Sequence, residues 1–294
     1  PDINDKALTE AFQPIGDGST VAPTLAYLPN QPTNPKASFR PFDIWLEAWM
    51  DQVRTNDSQG RFSTTYLGAD YVLNSDILVG LSVQRDWISF SGKSSVNTIK
   101  GVGWMMTPYL TTKLTDNLYA DVGIGWGKGQ NKTSPFGTYT DSFNSERWLA
   151  SMAMVGDFSV NHIKIKPTAR LSYFKESTAA YKDTFNVTIP SFEVKTGSFV
   201  FGPKISTHFV SDDETKYSPF ITLNGVWQFS NNNAGLTQNA SSNFSNKEAH
   251  LNIETGVDLH FKNDNHLNGS INYNGIGNDN YKSWGVNMSV YRNF

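Results

Sequence analysis

Apolar and polar residues alternate with a period of two along most of this chain, from Phe42 to Phe294. In the segment FDIWLEAWMD, apolar residues from Phe42 to Met50 take every second position, and Asp43 and Asp51 lie among the positions between them. A helix would scatter both sets around its axis, whereas an extended strand separates them onto two faces. The pattern therefore predicts an all-β fold.

Twelve segments of the chain show this alternation. They span residues 42–53, 61–73, 77–90, 99–111, 117–128, 146–159, 163–174, 192–208, 217–229, 247–261, 266–275 and 281–294. A chain of 294 residues can hold them in one domain, because large β-barrels reach that size. No run approaches the roughly 18 apolar residues of a membrane-spanning helix. The mean hydropathy of -0.42 also fits a barrel whose lipid-facing and lumen-facing residues alternate.

The connections between these segments alternate in length. Those after even-numbered strands are short and comprise residues 74–76, 112–116, 160–162, 209–216 and 262–265. Those after odd-numbered strands are mostly longer and comprise residues 91–98, 129–145, 175–191 and 230–246, with 54–60 and 276–280 as short exceptions. The longer connections are rich in Ser, Asn, Gly and Thr, as surface loops often are.

This sorting of loop lengths predicts a twelve-stranded antiparallel transmembrane β-barrel over residues 42–294. Outer-membrane barrels have short periplasmic turns and longer loops outside. Short turns after even strands put the start of the first strand on the periplasmic side. A soluble β-sandwich, the least favoured alternative, has no reason to sort its loops by parity, and its solvent face should be polar.

Residues 1–41 differ from the rest, because they hold more than half of the chain's 13 prolines. Asp5 could cap a short helix over residues 5–12, but the later prolines favour extended chain. Crossing about 30 Å of hydrocarbon takes about ten extended residues, so residues 14–41 are long enough to do so. We therefore divide the chain into a linker or pore segment, 1–41, that threads or plugs the lumen, and a barrel domain, 42–294.

Composition argues against several classes of function. The net charge of -3 is not that of a nucleic-acid binder, and the absence of Cys excludes a thiol nucleophile and a Cys-rich zinc site. His250 and His260 would lie about 33 Å apart on one strand, too far to share a metal. No metal site and no cofactor are predicted.

An outer-membrane hydrolase is the enzymatic alternative. The chain has no G-x-S-x-G nucleophile motif. Ser206 and His208 fall on one strand face, but no third partner of a catalytic triad can be identified. No catalytic residue is predicted, and the chain is not expected to be an enzyme.

Several segments, taken in order, resemble the translocator, or β-domain, of bacterial autotransporters, the type V secretion proteins. They are FDIWLEAWMD at the first strand, TTYLGADYVLNSDILVGLSV across the second and third, GWMMTPYLTTKLTDNLYADVGIGWG across the fourth and fifth, and WGVNMSVYRNF at the chain end. The resemblance covers residues 42–294.

The resemblance implies a bacterial outer-membrane protein that secretes and anchors an N-terminal passenger through or with its barrel. The implied partners are outer-membrane lipid, the barrel-assembly machinery and the chain's own passenger, and we expect a monomer. In this family a C-terminal aromatic residue contributes to an assembly signal. Phe294 matches it, with Val290 and Met288 on the same strand face.

The chain departs from the family pattern at three points. Arg292 stands where a hydrophobic residue is common. Family members usually place a helix in the pore before the first strand, whereas the prolines here predict a largely extended segment with any helix confined to residues 4–13. Residues 1–41 contain no Asn-Asn pair, so self-cleavage at such a bond is not predicted. The alternative function is an outer-membrane pore or hydrolase barrel of another family, with residues 1–41 as a plug.

The strand alternation places a set of charged residues on the lumen face: Glu47, Asp121, Arg170, Glu254 and Asp258. Polar lumens are general in such barrels, so hydration of the pore is one interpretation. The other is contact with a threaded linker through Lys36 and Arg40.

The glycines and the aromatic residues also have two interpretations each. Glycines on the predicted lumen face either curve the strands or make room for a polypeptide in the pore, and they are Gly101, Gly103, Gly123, Gly125 and Gly127. Aromatic residues spread over many strands are typical of membrane-interface girdles rather than of a clustered carbohydrate-binding face, and they are Trp104, Trp126, Trp148, Trp227, Trp284 and Tyr173.

Overall fold

The computed structural model of the protein describes residues 42–293, apart from 57, 94–95, 136, 213, 235–248 and 263–264. The predicted pore segment, 1–41, and the terminal Phe294 lie outside the described residues, so the domain division at residue 42 stays a prediction. The strands are β1 (Phe42–Thr55), β2 (Ser58–Val72), β3 (Ile77–Gly92), β4 (Thr98–Thr115), β5 (Leu118–Ser134), β6 (Asp141–Gly156), β7 (Phe158–Val160), β8 (Ile163–Thr178), β9 (Tyr181–Lys182), β10 (Thr188–Ile189), β11 (Phe192–Thr207), β12 (Phe209–Val210), β13 (Lys216–Ala234), β14 (Ala249–His260), β15 (Asn265–Ile276) and β16 (Tyr281–Asn293).

Twelve long strands close into a barrel, which confirms the predicted fold class. Each pairs antiparallel with its neighbours, and the ring is completed where β1 pairs with β16 and β8 with β11. The four short strands are additions to this ring: β7 and β12 continue β6 and β11, while β9 and β10 form a hairpin between β8 and β11. Among the described residues, no helix has the length and apolar character needed to cross a membrane.

Several strands run further than the sequence predicts. β5 continues to Ser134 and β6 begins at Asp141, so the predicted loop 129–145 shrinks to residues 135–140. The added residues, such as the segment GQNKTS in β5, have few apolar side chains. Backbone pairing does not require an apolar face, so the ladder can continue beyond the segment whose side chains show hydrophobic alternation.

The two ends of the barrel differ in their connections. Short turns join the strands at one end, called the turn end. The connections at the other end, called the loop end, include the long ones 179–191 and 235–248, but also short ones, such as 56–57 between β1 and β2. At the turn between β7 and β8, Asn161 has a φ of 56°, in the left-handed region that Asn tolerates better than most residues.

The two faces of the strands are inverted relative to a soluble protein. Apolar side chains such as Ile124 and Met152 are 63% and 54% exposed on the outer wall, whereas Asp51 on the inner wall is 1% exposed. This is the arrangement of a barrel with an apolar outer band and a polar interior. Trp126 and Trp148 face each other on the outer wall, as the girdle interpretation requires.

Candidate functional site

The inner wall is the candidate functional site, and at the turn end it carries a hydrogen-bonded group of aromatic rings and acids. Trp45 Nε1 donates to Tyr109 Oη at 3.1 Å and to Asp70 Oδ1 at 3.4 Å, and the Tyr109 hydroxyl donates to Asp70. The rings lie over glycines, because a Cβ on Gly68 would collide with Trp45 and one on Gly80 with Tyr109. These two glycines let bulky rings lie flat against the wall.

Three of the predicted lumen charges interact near the middle of the barrel. Glu47 on β1 accepts a hydrogen bond from Asn287 Nδ2 at 2.7 Å. Arg170 on β8 is buried, and its positive charge acts on both Glu47 and Asp121. Asp121 lies opposite Thr111 in the ladder of β4 and β5. Asp121 and Arg170 lie in one row of the ladder with a single strand, β6, between them. β1 and β8 are on opposite sides of the ring, so the interaction of Arg170 with Glu47 crosses the lumen.

The other two predicted lumen charges, Glu254 and Asp258 on β14, are held by nearby strands. Glu254 Oε1 accepts from Ser270 Oγ at 2.6 Å. Asp258 pairs with Lys204 Nζ at 3.1 Å and accepts a hydrogen bond from Asn268. Both carboxyls are partly buried. They form local bridges along the wall.

A buried ion trio in the loop half was not predicted from the sequence. Arg147 on β6 donates through Nη1 to both carboxylate oxygens of Asp86, at 2.9 and 2.8 Å. Its Nε lies 3.1 Å from Glu176 Oε2, and all three side chains are 7% exposed or less. Strand alternation could have indicated that Arg147 faces the lumen, because it directly precedes Trp148, which faces outward.

Glycines open the path along which Arg147 reaches Asp86. Asp86 on β3 is separated from β6 by β4 and β5, where Gly103 and Gly129 continue its row of the ladder. A Cβ on Gly129 would lie 3.1 Å from Arg147 Nη2. A Cβ on Gly103 would collide with Arg147 Nη1, so glycine is needed there for an internal side chain. At Gly123, in contrast, the nearest atoms to an added Cβ are 3.4 Å away.

The inner wall becomes apolar at the loop end, although the sequence predicted a generally polar lumen. Seven buried side chains form this cluster: Val53, Ile88, Phe90, Ile99, Phe143, Phe192 and Val194. Tyr181 of the β9–β10 hairpin stacks on Phe143 at 5.1 Å, and Phe192 meets Phe143 edge-on at 5.8 Å. The hairpin is tied down by Asp141 Oδ1, which accepts from Thr184 N at 2.8 Å and Thr184 Oγ1 at 2.7 Å.

The histidines pair in ways that the sequence did not predict. The rings of His260 and His266 face each other across a turn with centroids 3.8 Å apart, and those of His162 and His208 are 6.2 Å apart. In the part of the chain that the structure describes, no three His, Cys, Asp or Glu side chains are grouped to hold a metal ion. Within the same residues no hydrogen bond joins Ser206 to His208.

The predicted assembly-signal residues on β16 point outward. Met288 and Val290 are 55% and 41% exposed on the outer wall, and the predicted third residue, Phe294, lies outside the described residues. Arg292, where the family pattern favours a hydrophobic residue, is also exposed.

The closed ring, its apolar outer wall and its polar inner wall define an outer-membrane β-barrel. More particularly, the family model for the autotransporter beta-domain matches residues 39–274. The chain therefore belongs to the autotransporter β-domain family, whose members are transport barrels of the bacterial outer membrane rather than enzymes. This confirms the resemblance drawn from the sequence and the predicted location.

Solved autotransporter structures share the fold. The β-domain of the Bordetella autotransporter BrkA is 14% identical with a TM-score of 0.71, over 86% of this chain and all (100%) of that one. The translocator domain of NalP from Neisseria meningitidis is 15% identical with a TM-score of 0.70, over 86% and 89%. The transport unit of AIDA-I from Escherichia coli is 12% identical with a TM-score of 0.65, over 100% of both chains. No curated protein matches the sequence significantly.

Proposed function

We propose that this barrel secretes and anchors an N-terminal passenger, with residues 1–41 passing through the lumen. One observation carries the proposal: β1 begins at the turn end, at Phe42. With the turn end in the periplasm, the segment that precedes β1 starts on the periplasmic side. To reach the cell exterior it has to cross the full height of the barrel.

The inner wall offers partners for an extended polypeptide. An extended chain exposes N–H and C=O groups that need hydrogen-bond partners. Among the described residues, the Thr64 hydroxyl and Gln84 Oε1 are buried without one. The carboxylates of Glu47 and Asp121 suit Lys36 and Arg40, which lie in the proposed pore segment. These features support threading, with the lumen charges serving both hydration and contact with the linker.

The proposal includes one further partner of the barrel and its oligomeric state. Outward Met288 and Val290, together with Phe294, would present the last strand to the barrel-assembly machinery. We propose that the folded barrel is a monomer, because the ring of strands closes on itself and leaves no long strand unpaired among the described residues.

Single-cysteine labelling tests the path of the linker, since the chain contains no Cys. We expect Ser19→Cys to react with a membrane-impermeant maleimide on intact cells, because about ten extended residues before Phe42 are enough to cross the membrane and a threaded chain then places Ser19 outside. Protection of Ser19→Cys on intact cells, with labelling after lysis, would contradict threading and favour a plugged pore.

Single-channel conductance tests independently whether residues 1–41 occupy the pore. Deleting residues 1–41 should raise the single-channel conductance of the barrel in planar bilayers, because the lumen would lose its occupant. An unchanged conductance would show that this segment does not occupy the pore.

A further inference from the structure

The outer wall carries an excess of positive charge in its loop half. Nine cationic side chains point outward from the strands in this half and are here called the cationic belt: Arg54, Arg61, Arg85, Lys100, Lys128, Lys132, Lys175, Lys195 and Lys282. In the described part of the same strands, the outward acids are Glu146 and Glu193. Most other strand acids, such as Asp51 and Asp86, face the lumen. The sheet therefore separates charge across the wall.

Three pairs of cations in the belt lie directly opposite each other on neighbouring strands. The pairs are Lys100 with Lys132, Lys175 with Lys195, and Arg54 with Lys282. Like charges in this position destabilise a sheet. An anion between them removes the repulsion and gains two charge-assisted contacts.

One pair shows how an anion fits. Glu193 lies between Lys175 and Lys195, with its two carboxylate oxygens 2.6 and 2.7 Å from their Nζ atoms. No acid in the described residues lies within ion-pair distance of Lys100 or Lys132. That pair has the same cross-strand arrangement without the protein anion.

Arg61 and Ser89 extend the Lys100 and Lys132 pair into a row. The ladder aligns Arg61 with Ser89, Ser89 with Lys100 and Lys100 with Lys132, so one row on β2 to β5 carries three cations and a hydroxyl. With strands about 4.8 Å apart, the row spans about 15 Å. Within the described residues neither Arg61 nor the two lysines form an ion pair, which leaves the row open to an external anion.

The order of residues along β5 places this row at headgroup depth. From the turn end towards the loop end, the outward positions read Val122, Ile124, Trp126, Lys128, Gln130 and Lys132. Apolar residues suit the hydrocarbon, Trp suits the interface, and cations beyond Trp meet lipid headgroups. Trp87, next to Ser89 on β3, is 44% exposed just below the row.

We propose that Arg61, Lys100 and Lys132 bind the phosphate of a phosphorylated glycolipid in the outer leaflet. A phosphomonoester carries close to two negative charges and several acceptor oxygens, which matches three cations and the Ser89 hydroxyl. This inference goes beyond the proposed function and shares with it only the loop-end-outward orientation.

The test uses the full chain in phosphatidylcholine liposomes with and without diphosphoryl lipid A, and measures the midpoint of heat-induced gel-mobility change. We expect lipid A to raise the midpoint of the wild type by several degrees. The triple variant Arg61→Gln, Lys100→Gln, Lys132→Gln should lose most of that rise. The matched control Lys175→Gln, Lys195→Gln should keep it, because Glu193 already occupies that pair.

Two features make the result decisive. In phosphatidylcholine alone the triple variant should unfold at the same or a higher temperature, because the repulsion is gone, so a loss seen only with lipid A supports the site. An equal rise for wild type and triple variant overturns the proposal. So does an equal rise with dephosphorylated lipid A, with phosphatidylglycerol, or with inorganic phosphate alone. This assay does not depend on secretion. A result that overturns the lipid site therefore does not bear on the labelling and conductance tests of threading.

Discussion

Arg147 shows how much of the inner wall depends on single residues. Its guanidinium satisfies two buried acids from different strands, Asp86 and Glu176. Ion pairs taken out of water contribute little net stability, but removing one partner leaves uncompensated charge. Here one cation balances two carboxylates, so its loss leaves both without their counter-ion.

We predict that Arg147→Met lowers the free energy of unfolding by about 3–5 kcal/mol. Urea titration of the refolded barrel in detergent measures it. Lys113→Met is the matched control: Lys113 pairs with the exposed Asp116 at a turn, at 2.8 Å, and its loss should leave the stability of the barrel nearly unchanged, because water screens an exposed ion pair. Adding Asp86→Asn to Arg147→Met should recover part of the loss. A cost below 1 kcal/mol for Arg147→Met would contradict the buried role of the trio.

Sequence alternation predicts which way a lumen residue points but not what it meets. It indicates that Glu47 and Asp121 face inward, because their neighbours along the strand are apolar. It does not reveal that Arg170 acts on both, since the three lie on strands far apart in the chain. For the same reason the sequence predicts only that Gly103 allows strand curvature or an open pore. That Gly103 leaves space for the Arg147 side chain is seen only in the structure.

At the scale of elements, the β9–β10 hairpin behaves differently from the long strands. The long strands pair on both sides, whereas the hairpin is attached to the barrel by Tyr181 on Phe143 and by Asp141 with Thr184. The sequence assigned residues 175–191 to a loop, because a two-residue strand is too short to show alternation. Its position beside the apolar cluster depends on these contacts.

We predict that Asp141→Ala releases the hairpin without unfolding the barrel. Hydrogen bonds to a charged acceptor are worth about 1.5–3 kcal/mol, so local opening should rise about tenfold or more. Trypsin cleavage after Lys182 in the folded, gel-shift-positive barrel reports it. Asp279→Ala, an exposed acid in the β15–β16 loop, is the control and should leave the cleavage rate unchanged. Equal rates for the two variants would show that the Asp141 bonds do not hold the hairpin.

For the whole molecule, closure sets both topology and orientation. β1 pairs with β16 over thirteen positions from Asp43 to Thr55, which joins the two ends of the barrel sequence. An even number of strands then leaves the start of β1 and the end of β16 at the same, turn end.

We predict that a cysteine at Thr138 is labelled on intact cells and one at Ser75 only after lysis. Thr138 is exposed at the loop end and Ser75 at the turn end. Ser134, at the end of β5, is a less suitable labelling position, because it is half-buried and donates a hydrogen bond to the Tyr139 carbonyl at 2.7 Å. Equal labelling of both cysteines on intact cells would mean that the barrel does not separate the two ends across a membrane.

Local pattern was enough to determine strands, faces, strand number and the sorting of turns and loops, because each depends on side chains a few residues apart. The tertiary structure decided the Arg147 trio, the Arg170 group, the apolar cluster at the loop end and the facing cations of the outer wall. Their members come from different strands, and register and ring closure set which side chains share a height. A period of two carries no information about register between strands, so these contacts depend on strand pairing and, where they cross the ring, on its closure.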